Sequence, residues 1–314
     1  MRRAGLLIAF ASSWCFAFSG PMAKYLAAGG LSPLESVWVR MAGAGLLLVG
    51  VLAAVRPRAL RIPRSRLLFF GAYAVVAVAG VQALYFAAIT RLPVGVTLLI
   101  EFTAPVLVVL WVRFVRRLRL PREAFVGAVV AVAGLGVVVE VWSGLSLDPV
   151  GLLMAFGAAA CCAGYFLLSD GFGDDVDPLG LIAWGLLGAA AVLVPLSRPW
   201  DIPWGAFTRA VEPQGAPVLP VAVAALWMIV VATVVAYILG VTAVRRLSAA
   251  VGSTVASLEV IAGAVIAWVL LGESLGVFQI VGGLIVLVGA YLAQRATAAL
   301  PAPAGGLTEP AVAV

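Results

Sequence analysis

The chain has 314 residues, of which 64% are hydrophobic and 11% charged, and its formal net charge is +6. Soluble domains carry roughly a quarter charged residues, so this composition excludes a water-soluble globular protein. There is no histidine, and the three cysteines lack the spacing of a zinc site. We therefore expect neither histidine-based catalysis nor a metal site, and no cofactor.

The hydrophobic residues form continuous blocks of about twenty, the length at which an α-helix crosses the hydrocarbon core of a bilayer. Proline, glycine and aspartate, which start helices and form turns, separate the blocks. The first block continues to Ala28 without a cleavage site, so we predict a membrane span there and not a signal peptide. The pattern predicts ten spans, at 4–27, 33–55, 67–89, 93–113, 122–142, 149–169, 178–197, 217–241, 249–271 and 275–295.

The basic residues are distributed unevenly between the two sides of this topology. Fifteen of the twenty Lys and Arg residues fall on the side of the N-terminus, four fall on the other side, and Arg40 lies inside the second span. Because cytoplasmic loops carry the excess of Lys and Arg, we predict both termini in the cytoplasm and the protein in the cytoplasmic (inner) membrane. Basic runs such as 113–122 are interpreted as charges that flank the spans, so no nucleic acid is expected as a partner.

Short segments of the first half recur in the second half. The matches are Gly5–Phe10 with Gly151–Phe156, Ser32–Leu34 with Asp177–Leu179, Tyr85 and Thr90 with Tyr237 and Thr242, and Gly127 and Gly134 with Gly282 and Gly289. They predict five spans twice, as residues 1–145 and 146–299. The tail at 300–314 is rich in proline, alanine and glycine and is predicted to be disordered. Five is odd, so the second unit enters the membrane from the opposite face. Inverted repeats of this kind are typical of secondary transporters.

Two acidic residues lie midway along apolar runs, Glu101 in the fourth span and Glu259 in the ninth. A carboxylate in hydrocarbon costs roughly 2.5–3.5 kcal/mol on insertion scales, so it is tolerated when it faces a water-filled cavity or is protonated. Either case suits proton coupling, and a charged carboxylate can also pair with the ammonium group of a substrate. The alternative is a structural acid that hydrogen-bonds to neighbouring backbone.

Further candidates for substrate binding or proton coupling share a helix face or matching spans. Gln82 and Tyr85 lie on the third span, Thr233 and Tyr237 lie on the eighth, and Thr97 lies one turn before Glu101. The polar pairs can line one cavity or simply join helices. Ser12, Ser19 and Tyr165 are additional candidates of the same kind.

Pro105 and Arg40 are predicted to be structural or gating residues. Pro105 follows Glu101 by one turn and removes a backbone donor, which predicts a bend beside the carboxylate. Arg40 lies about two turns into the second span, and Glu35 is five residues earlier. We expect Arg40 to extend back toward the interface and to take part in an ion pair.

The segment LPVGVTLLIEFTAP, Leu92–Pro105, resembles the fourth span of the threonine/homoserine exporter branch of the EamA-like drug/metabolite transporters. In the second half, Ser257–Glu259, Leu271–Leu275 and Gln279–Gly282 are similar to the EamA pattern. The sequence departs from it at Val260, where a proline usually follows the glutamate, and at Leu118–Leu120, which replaces Leu-Gly-Glu. The resemblance implies an all-α membrane protein of ten helices in two inverted five-helix repeats, which exports small metabolites, with amino acids as the leading class.

Three other functions are weighed against this one. An exporter of drugs or nucleotide precursors is the nearest, although large anionic substrates would need several intramembrane cations and Arg40 stands alone in the spans. A membrane enzyme would need a nucleophile–base pair or metal ligands, and the sequence has no histidine and no metal-binding motif. A passive channel would show no trans-acceleration. The expected partners are a small-molecule substrate, protons as the coupling ion and the lipid bilayer, and a homodimer is left open.

Overall fold

The computed structural model describes residues 2–117, 120–138, 147–169, 176–213, 216–246 and 258–298, and helices make up most of this part of the chain. The α-helices are α1 (Arg2–Ala17), α2 (Ser19–Ala28), α3 (Pro33–Val55), α4 (Leu67–Ala72), α5 (Val81–Ala88), α6 (Val94–Glu101), α7 (Ala104–Phe114), α8 (Arg122–Val138), α9 (Pro149–Ser169), α10 (Pro178–Ser197), α11 (Val221–Ile229), α12 (Ala236–Arg246), α13 (Leu258–Leu271) and α14 (Val277–Ala298).

Short elements complete the described part of the chain. Two π-helical segments, Tyr73–Gly80 and Val230–Val235, connect α4 to α5 and α11 to α12. Short 3₁₀ helices cover Pro57–Leu60, Arg64–Arg66 and Trp204–Thr208. A two-residue hairpin pairs β1 (Ala210–Val211) with β2 (Leu219–Pro220) in antiparallel register.

Helix is present at each of the ten predicted span positions. Seven described segments are long and apolar enough to cross a membrane: Gly5–Ala28, Pro33–Val55, Arg64–Ala88, Val94–Phe114, Pro149–Leu168, Pro178–Ser197 and Val221–Ala243. The helices at the fifth, ninth and tenth positions have shorter described apolar parts. The predicted disordered tail at 300–314, and Leu118 and Arg119, lie outside the described residues.

Local sequence sets where the helices begin. Ser32 and Glu35 form a reciprocal cap on α3, because Ser32 Oγ accepts from the Glu35 N–H at 3.3 Å and Glu35 Oε2 accepts from the Ser32 N–H at 2.6 Å. Asp177 Oδ1 accepts from the Leu179 N–H at 2.9 Å at the start of α10. In both helices a proline occupies the first turn, where its missing N–H costs nothing.

Large apolar side chains cover the outside of the helices. Leu68 is 88% exposed, Leu7 and Val129 are each 69% exposed, and many others resemble them. A continuous apolar surface of this extent would aggregate in water and is stable against lipid tails. The protein is therefore an integral membrane protein.

Helices α8 and α14 approach each other backbone to backbone at four glycines. A Cβ on Gly127 would lie 2.7 Å from the Gly289 carbonyl oxygen, and a Cβ on Gly134 would lie 2.8 Å from the Gly282 carbonyl oxygen. The earlier glycine of α8, Gly127, contacts the later glycine of α14, Gly289, and the later Gly134 contacts the earlier Gly282, so the two helices run antiparallel. Small residues allow such close contact, which is a main source of helix association in lipid.

Replacing Gly289 with a larger residue is expected to destabilise the protein. Its added Cβ would lie 2.3 Å from the backbone nitrogen of Ala131, which cannot move aside as a side chain can. Gly289→Val should reduce the free energy of unfolding by about 1–3 kcal/mol or more. The measurement is the unfolding temperature of the purified protein in detergent. Gly71→Val is the matched control, because no atom lies within 4 Å of a Cβ there, and an equal loss in both variants would contradict the contact.

Candidate functional site

The guanidinium group of Arg40 lies in the protein interior and joins helices from both halves of the chain. Arg40 is 2% exposed. Its Nη1 donates to Ser19 Oγ on α2 at 2.5 Å and to Gln82 Oε1 on α5 at 2.6 Å. Its Nε donates to Thr233 Oγ1 at 2.8 Å. One side chain therefore connects four parts of the helical bundle.

The expectation that Arg40 extends back to the interface is wrong. Glu35 is bound in the cap of α3, and among the described residues Arg40 forms no salt bridge. Neutral oxygens and the ring of Phe86, whose centroid lies 5.7 Å from Cζ, surround the guanidinium instead. Hydrogen bonds to these neutral groups satisfy N–H donors of the Arg40 guanidinium, but they do not neutralise its positive charge. The charge therefore acts on ionisable groups that lie farther away.

The second π-helical segment presents Thr233 to Arg40. Thr233 is fully buried, and its Oγ1 accepts from Arg40 and donates to the Met228 carbonyl oxygen at 2.8 Å. The Ala232 carbonyl oxygen accepts a longer contact from Arg40 Nη2, at 3.4 Å. π-Helical turns occur frequently at functional sites, and here the third and eighth span positions both contain one.

Glu101 stands where the helix of the fourth span position is interrupted. Helix α6 ends at Glu101 and α7 begins at Ala104, with Pro105 in its first turn. Thr103 Oγ1 donates to the Ile100 carbonyl oxygen at 2.7 Å across the break. The bend predicted from Pro105 is therefore present as a helix interruption. Broken helices in transporters direct polar groups toward substrate and ions.

Glu101 and Glu259, which come from different halves of the chain, both lie within electrostatic range of Arg40. Glu101 interacts electrostatically with Glu259 and with Arg40, and Glu259 interacts with Arg40. Both glutamates are half-buried, and Glu259 lies in the first turn of the described part of α13. Two carboxylates near one uncancelled cation form a group whose net charge depends on how many protons it holds.

Tyrosines complete this central cluster. Tyr85 and Tyr237 each interact electrostatically with Arg40, Glu101 and Glu259. The ring of Tyr237 meets that of Phe16 edge to face, with centroids 4.8 Å apart. The residues predicted from the sequence that lie around Arg40 are Ser19, Gln82, Tyr85, Glu101, Thr233, Tyr237 and Glu259, and together with Arg40 we call them the central cluster.

Thr97 differs from the other predicted residues. It is fully buried, and its Oγ1 donates to the Pro93 carbonyl oxygen at 3.1 Å, one turn earlier in the same helix. The sequence placed it on the face of Glu101 because the two residues are four apart. Its hydroxyl hydrogen is committed to its own backbone, so Thr97 stabilises the start of α6.

A second polar network, which the sequence did not predict, lies near the start of α6. Lys24 in the middle of α2 forms a salt bridge with Glu273 Oε1, and Glu273 Oε2 accepts from the Val94 N–H at 2.9 Å. In the sequence, Glu273 is recognisable only as part of the Leu271–Leu275 motif. Sequence spacing could not predict its salt bridge with Lys24, because 249 residues separate the two.

A third interaction stabilises the loop before α9. Asp148 Oδ1 accepts from the Gly151 N–H at 2.6 Å, and Arg91 Nη1 approaches Asp148 Oδ2 at 3.3 Å. The Gly151 N–H, together with the Arg91 guanidinium, lowers the pKa of the Asp148 carboxyl. The side chains are exposed, so this pair contributes little to stability.

Two cavities of similar size lie away from the two glutamates. The larger, of about 390 Å³, is an apolar groove between α6, α13 and α14 that includes Trp268 and Leu284. The smaller, of about 370 Å³, lies at the ends of α2, α3 and α5 and contains polar side chains. Neither Glu101 nor Glu259 lines either cavity.

Known proteins resemble this chain over most of its length. A model of the EamA-like transporter family matches residues 3–140 and again residues 149–294. The threonine/homoserine exporter RhtA of Escherichia coli (strain K12) is 30% identical over 243 residues, which cover 77% of this chain and 75% of that protein. RhtA of Salmonella typhimurium is 30% identical over 245 residues, with the same coverage of 77% and 75%.

A more distant relative and a solved structure are also similar to this chain over most of its length. The uncharacterized transporter YwfM of Bacillus subtilis (strain 168) is 27% identical over 228 residues, covering 71% of this chain and 72% of that protein. A crystal structure that is 19% identical superposes with a TM-score of 0.60 over 95% of this chain and 99% of that one, which shows a shared fold. The resemblance inferred from Leu92–Pro105 is thus confirmed, and the chain belongs to the EamA-like transporter family, whose members are membrane transporters and not enzymes.

Proposed function

We propose that the protein is a secondary active transporter that exports small amino acids of the threonine and homoserine kind in exchange for protons. The observation that carries this proposal is the buried guanidinium of Arg40, held by Ser19, Gln82 and Thr233, with the half-buried Glu101 and Glu259 within electrostatic range of it. A zwitterion offers a carboxylate to the cation and an ammonium to the acids. The names of the relatives supply the particular amino acids.

The transport cycle follows from the charge of the central cluster. When Glu101 and Glu259 are ionised, they attract the ammonium group of the substrate, and when they are protonated they release it. Protons taken up from the outside and released to the cytoplasm would then drive amino acids out. Arg40 keeps a positive charge through the cycle, because an arginine does not lose its proton in proteins.

Two inverted five-helix units, 1–145 and 146–299, are proposed to perform the change between inward-facing and outward-facing states. The two matches of the family model, one in each half, support this division. The antiparallel packing of α8 against α14, which come from opposite halves, also supports it. In addition, the first helix of each half packs on the other half: α1 packs on α12 and α13, and α9 packs on α5 and α6. Ten spans, with both termini cytoplasmic in the inner membrane and a central cavity between the units, complete the proposal.

Export from loaded vesicles tests the function. Vesicles containing the purified protein are loaded with each member of a panel of amino acids, and efflux is followed with and without a pH gradient. We expect saturable efflux of threonine and homoserine that a gradient accelerates, and faster efflux when the same amino acid is present on the other side. Efflux of no amino acid in the panel would overturn the substrate class. Efflux without trans-acceleration would indicate a channel instead.

A further inference from the structure

One carboxylate joins the two halves of the chain at one end of the helical bundle. Glu273, in the connection between α13 and α14, forms a salt bridge with Lys24 on α2. It also accepts from the Val94 N–H, at 2.9 Å, at the start of α6. Lys24 and Val94 belong to the first half and Glu273 to the second. Because an anion is stabilised by the free N–H groups of a helix N-terminus, α6 strengthens this contact between the halves.

The salt bridge is largely shielded from water, unlike the pair formed by Arg91 and Asp148. The side chains of Lys24 and Glu273 are 18% and 10% exposed, whereas those of Arg91 and Asp148 are 46% and 36% exposed. Exposed pairs add little to stability, whereas removing one partner of a shielded pair leaves an uncompensated charge. Of these two pairs, Lys24 and Glu273 form the one that can hold the halves together at this face.

Helix α2 connects the salt bridge to the central cluster. It begins at Ser19, whose Oγ accepts from Arg40, directly after the interruption between α1 and α2 at Phe18, and it carries Lys24 five residues later. Tyr25 Oη donates to the carbonyl oxygen of Pro217 at 2.9 Å, so a second residue of α2 binds the second half. A movement of α2 about Phe18 would therefore change its contacts with Arg40 and with the second half together.

Helix α2 lies tightly against the start of α6. A Cβ on Gly20 would lie 2.6 Å from Val94 Cγ1 and 2.7 Å from the hydroxyl oxygen of Tyr85, which leaves no room between these elements. Val94 is fully buried. A separation of α2 from α6 would uncover Val94, so its accessibility reports whether the two helices are in contact.

We propose that Lys24 and Glu273 form a gate, which holds α2 on the start of α6 while the salt bridge is intact and opens when the two charges separate. This gate rests on the proposed transport cycle and names the contact that must break within it. In the topology predicted from the basic residues, the gate closes the outer face of the membrane. Because α2 also carries Ser19, opening the gate changes the hydrogen bonds of Arg40.

Labelling of a buried cysteine measures the gate without requiring transport. Val94→Cys is introduced into the protein with its three native cysteines replaced by alanine, and the purified protein in lipid nanodiscs is treated with a maleimide. Glu273→Gln keeps an acceptor for the N–H of residue 94 and removes the charge. It should accelerate labelling about tenfold, an effect of the size of one charge-assisted hydrogen bond. If this variant does not fold, Lys24→Gln takes its place, because it also breaks the salt bridge.

Two matched variants distinguish a gate from a general loosening of the fold. Asp148→Asn also removes the charge of a carboxylate that accepts a backbone N–H and pairs with a cation, and it should leave the labelling of Val94→Cys unchanged. Val109→Cys replaces another fully buried valine, on α7, and should stay unlabelled with and without Glu273→Gln. The gate is overturned if Glu273→Gln does not accelerate the labelling of Val94→Cys, or accelerates that of Val109→Cys equally.

A covalent link across the pair tests whether the gate must open during transport. In the same background, Lys24→Cys and Glu273→Cys are joined by a short bifunctional thiol reagent that a reductant cleaves, and the protein is then placed in vesicles. Exchange of labelled threonine should fall to the level of empty vesicles and return after reduction. Each single cysteine variant should exchange threonine equally with and without the reagent.

The outcomes separate the gate from the transport function. Exchange that continues with the link in place would overturn the gate and leave the transport function standing. Absence of exchange in the unmodified protein would overturn the transport function, and the labelling of Val94→Cys would still decide whether the salt bridge holds α2 on α6.

Discussion

Replacing Glu101 with glutamine is expected to abolish export driven by a pH gradient while leaving membrane insertion intact. Glutamine has the shape of a protonated glutamate and cannot release a proton, so the variant holds the central cluster in one protonation state. Exchange of labelled for unlabelled threonine needs no net proton movement and should persist at a reduced rate, because an ionised Glu259 still attracts the ammonium group. The measurement compares gradient-driven efflux with counterflow in the same vesicles.

Glu123→Gln is the control for this substitution. Glu123 lies in the first turn of α8 and is exposed, so removal of its charge should leave both activities near those of the unmodified protein. Gradient-driven efflux at the normal rate by Glu101→Gln would show that Glu101 carries no coupling proton. The same test on Glu259→Gln asks whether the second carboxylate shares the proton or only binds the ammonium group.

Replacing Arg40 with alanine is expected to eliminate driven efflux and exchange together. The substitution removes the cation of the central cluster and leaves Ser19, Gln82 and Thr233 without their shared donor. Each buried acceptor left unpaired costs about 1–3 kcal/mol, so the unfolding temperature should also fall. The loss of exchange, which Glu101→Gln keeps, distinguishes a substrate-binding cation from a coupling residue.

Arg40→Lys separates the charge from the geometry. Lysine keeps the positive charge and is a compact point donor without the fork that reaches three acceptors at once. We expect this variant to remain folded and to lose exchange by about tenfold, which corresponds to roughly 1.4 kcal/mol, of the order of one hydrogen bond. Arg209→Ala, at an exposed loop position, should change neither stability nor exchange. If Arg40→Ala kept normal exchange, the guanidinium would be a purely structural connector.

The spacing of residues along one helix predicted only part of the central cluster. Glu101 and Pro105 lie in one predicted span, and their spacing alone predicted a bend beside the acid, which the structure shows as an interruption between α6 and α7. Arg40 was compared with Glu35, its neighbour in sequence, whereas its partners come from other helices. Ser19, Gln82 and Thr233 lie 21, 42 and 193 residues away from it.

The same limit explains the salt bridge between Lys24 and Glu273. Glu273 has a sequence context in the Leu271–Leu275 motif, and nothing in that motif points to a lysine 249 residues earlier.

By itself, the sequence determined the membrane environment, the positions of the helices, their capped starts and the two acidic residues within apolar runs. These depend on hydrophobic length and on local proline, glycine and capping chemistry, which act over a few residues. The tertiary structure alone decided that Arg40 points inward, that Thr97 bonds its own helix, and that two glutamates from separate halves lie within electrostatic range of one buried cation. In lipid, small surface glycines and a few polar contacts choose how helices pair, and those contacts join residues that the chain order keeps far apart.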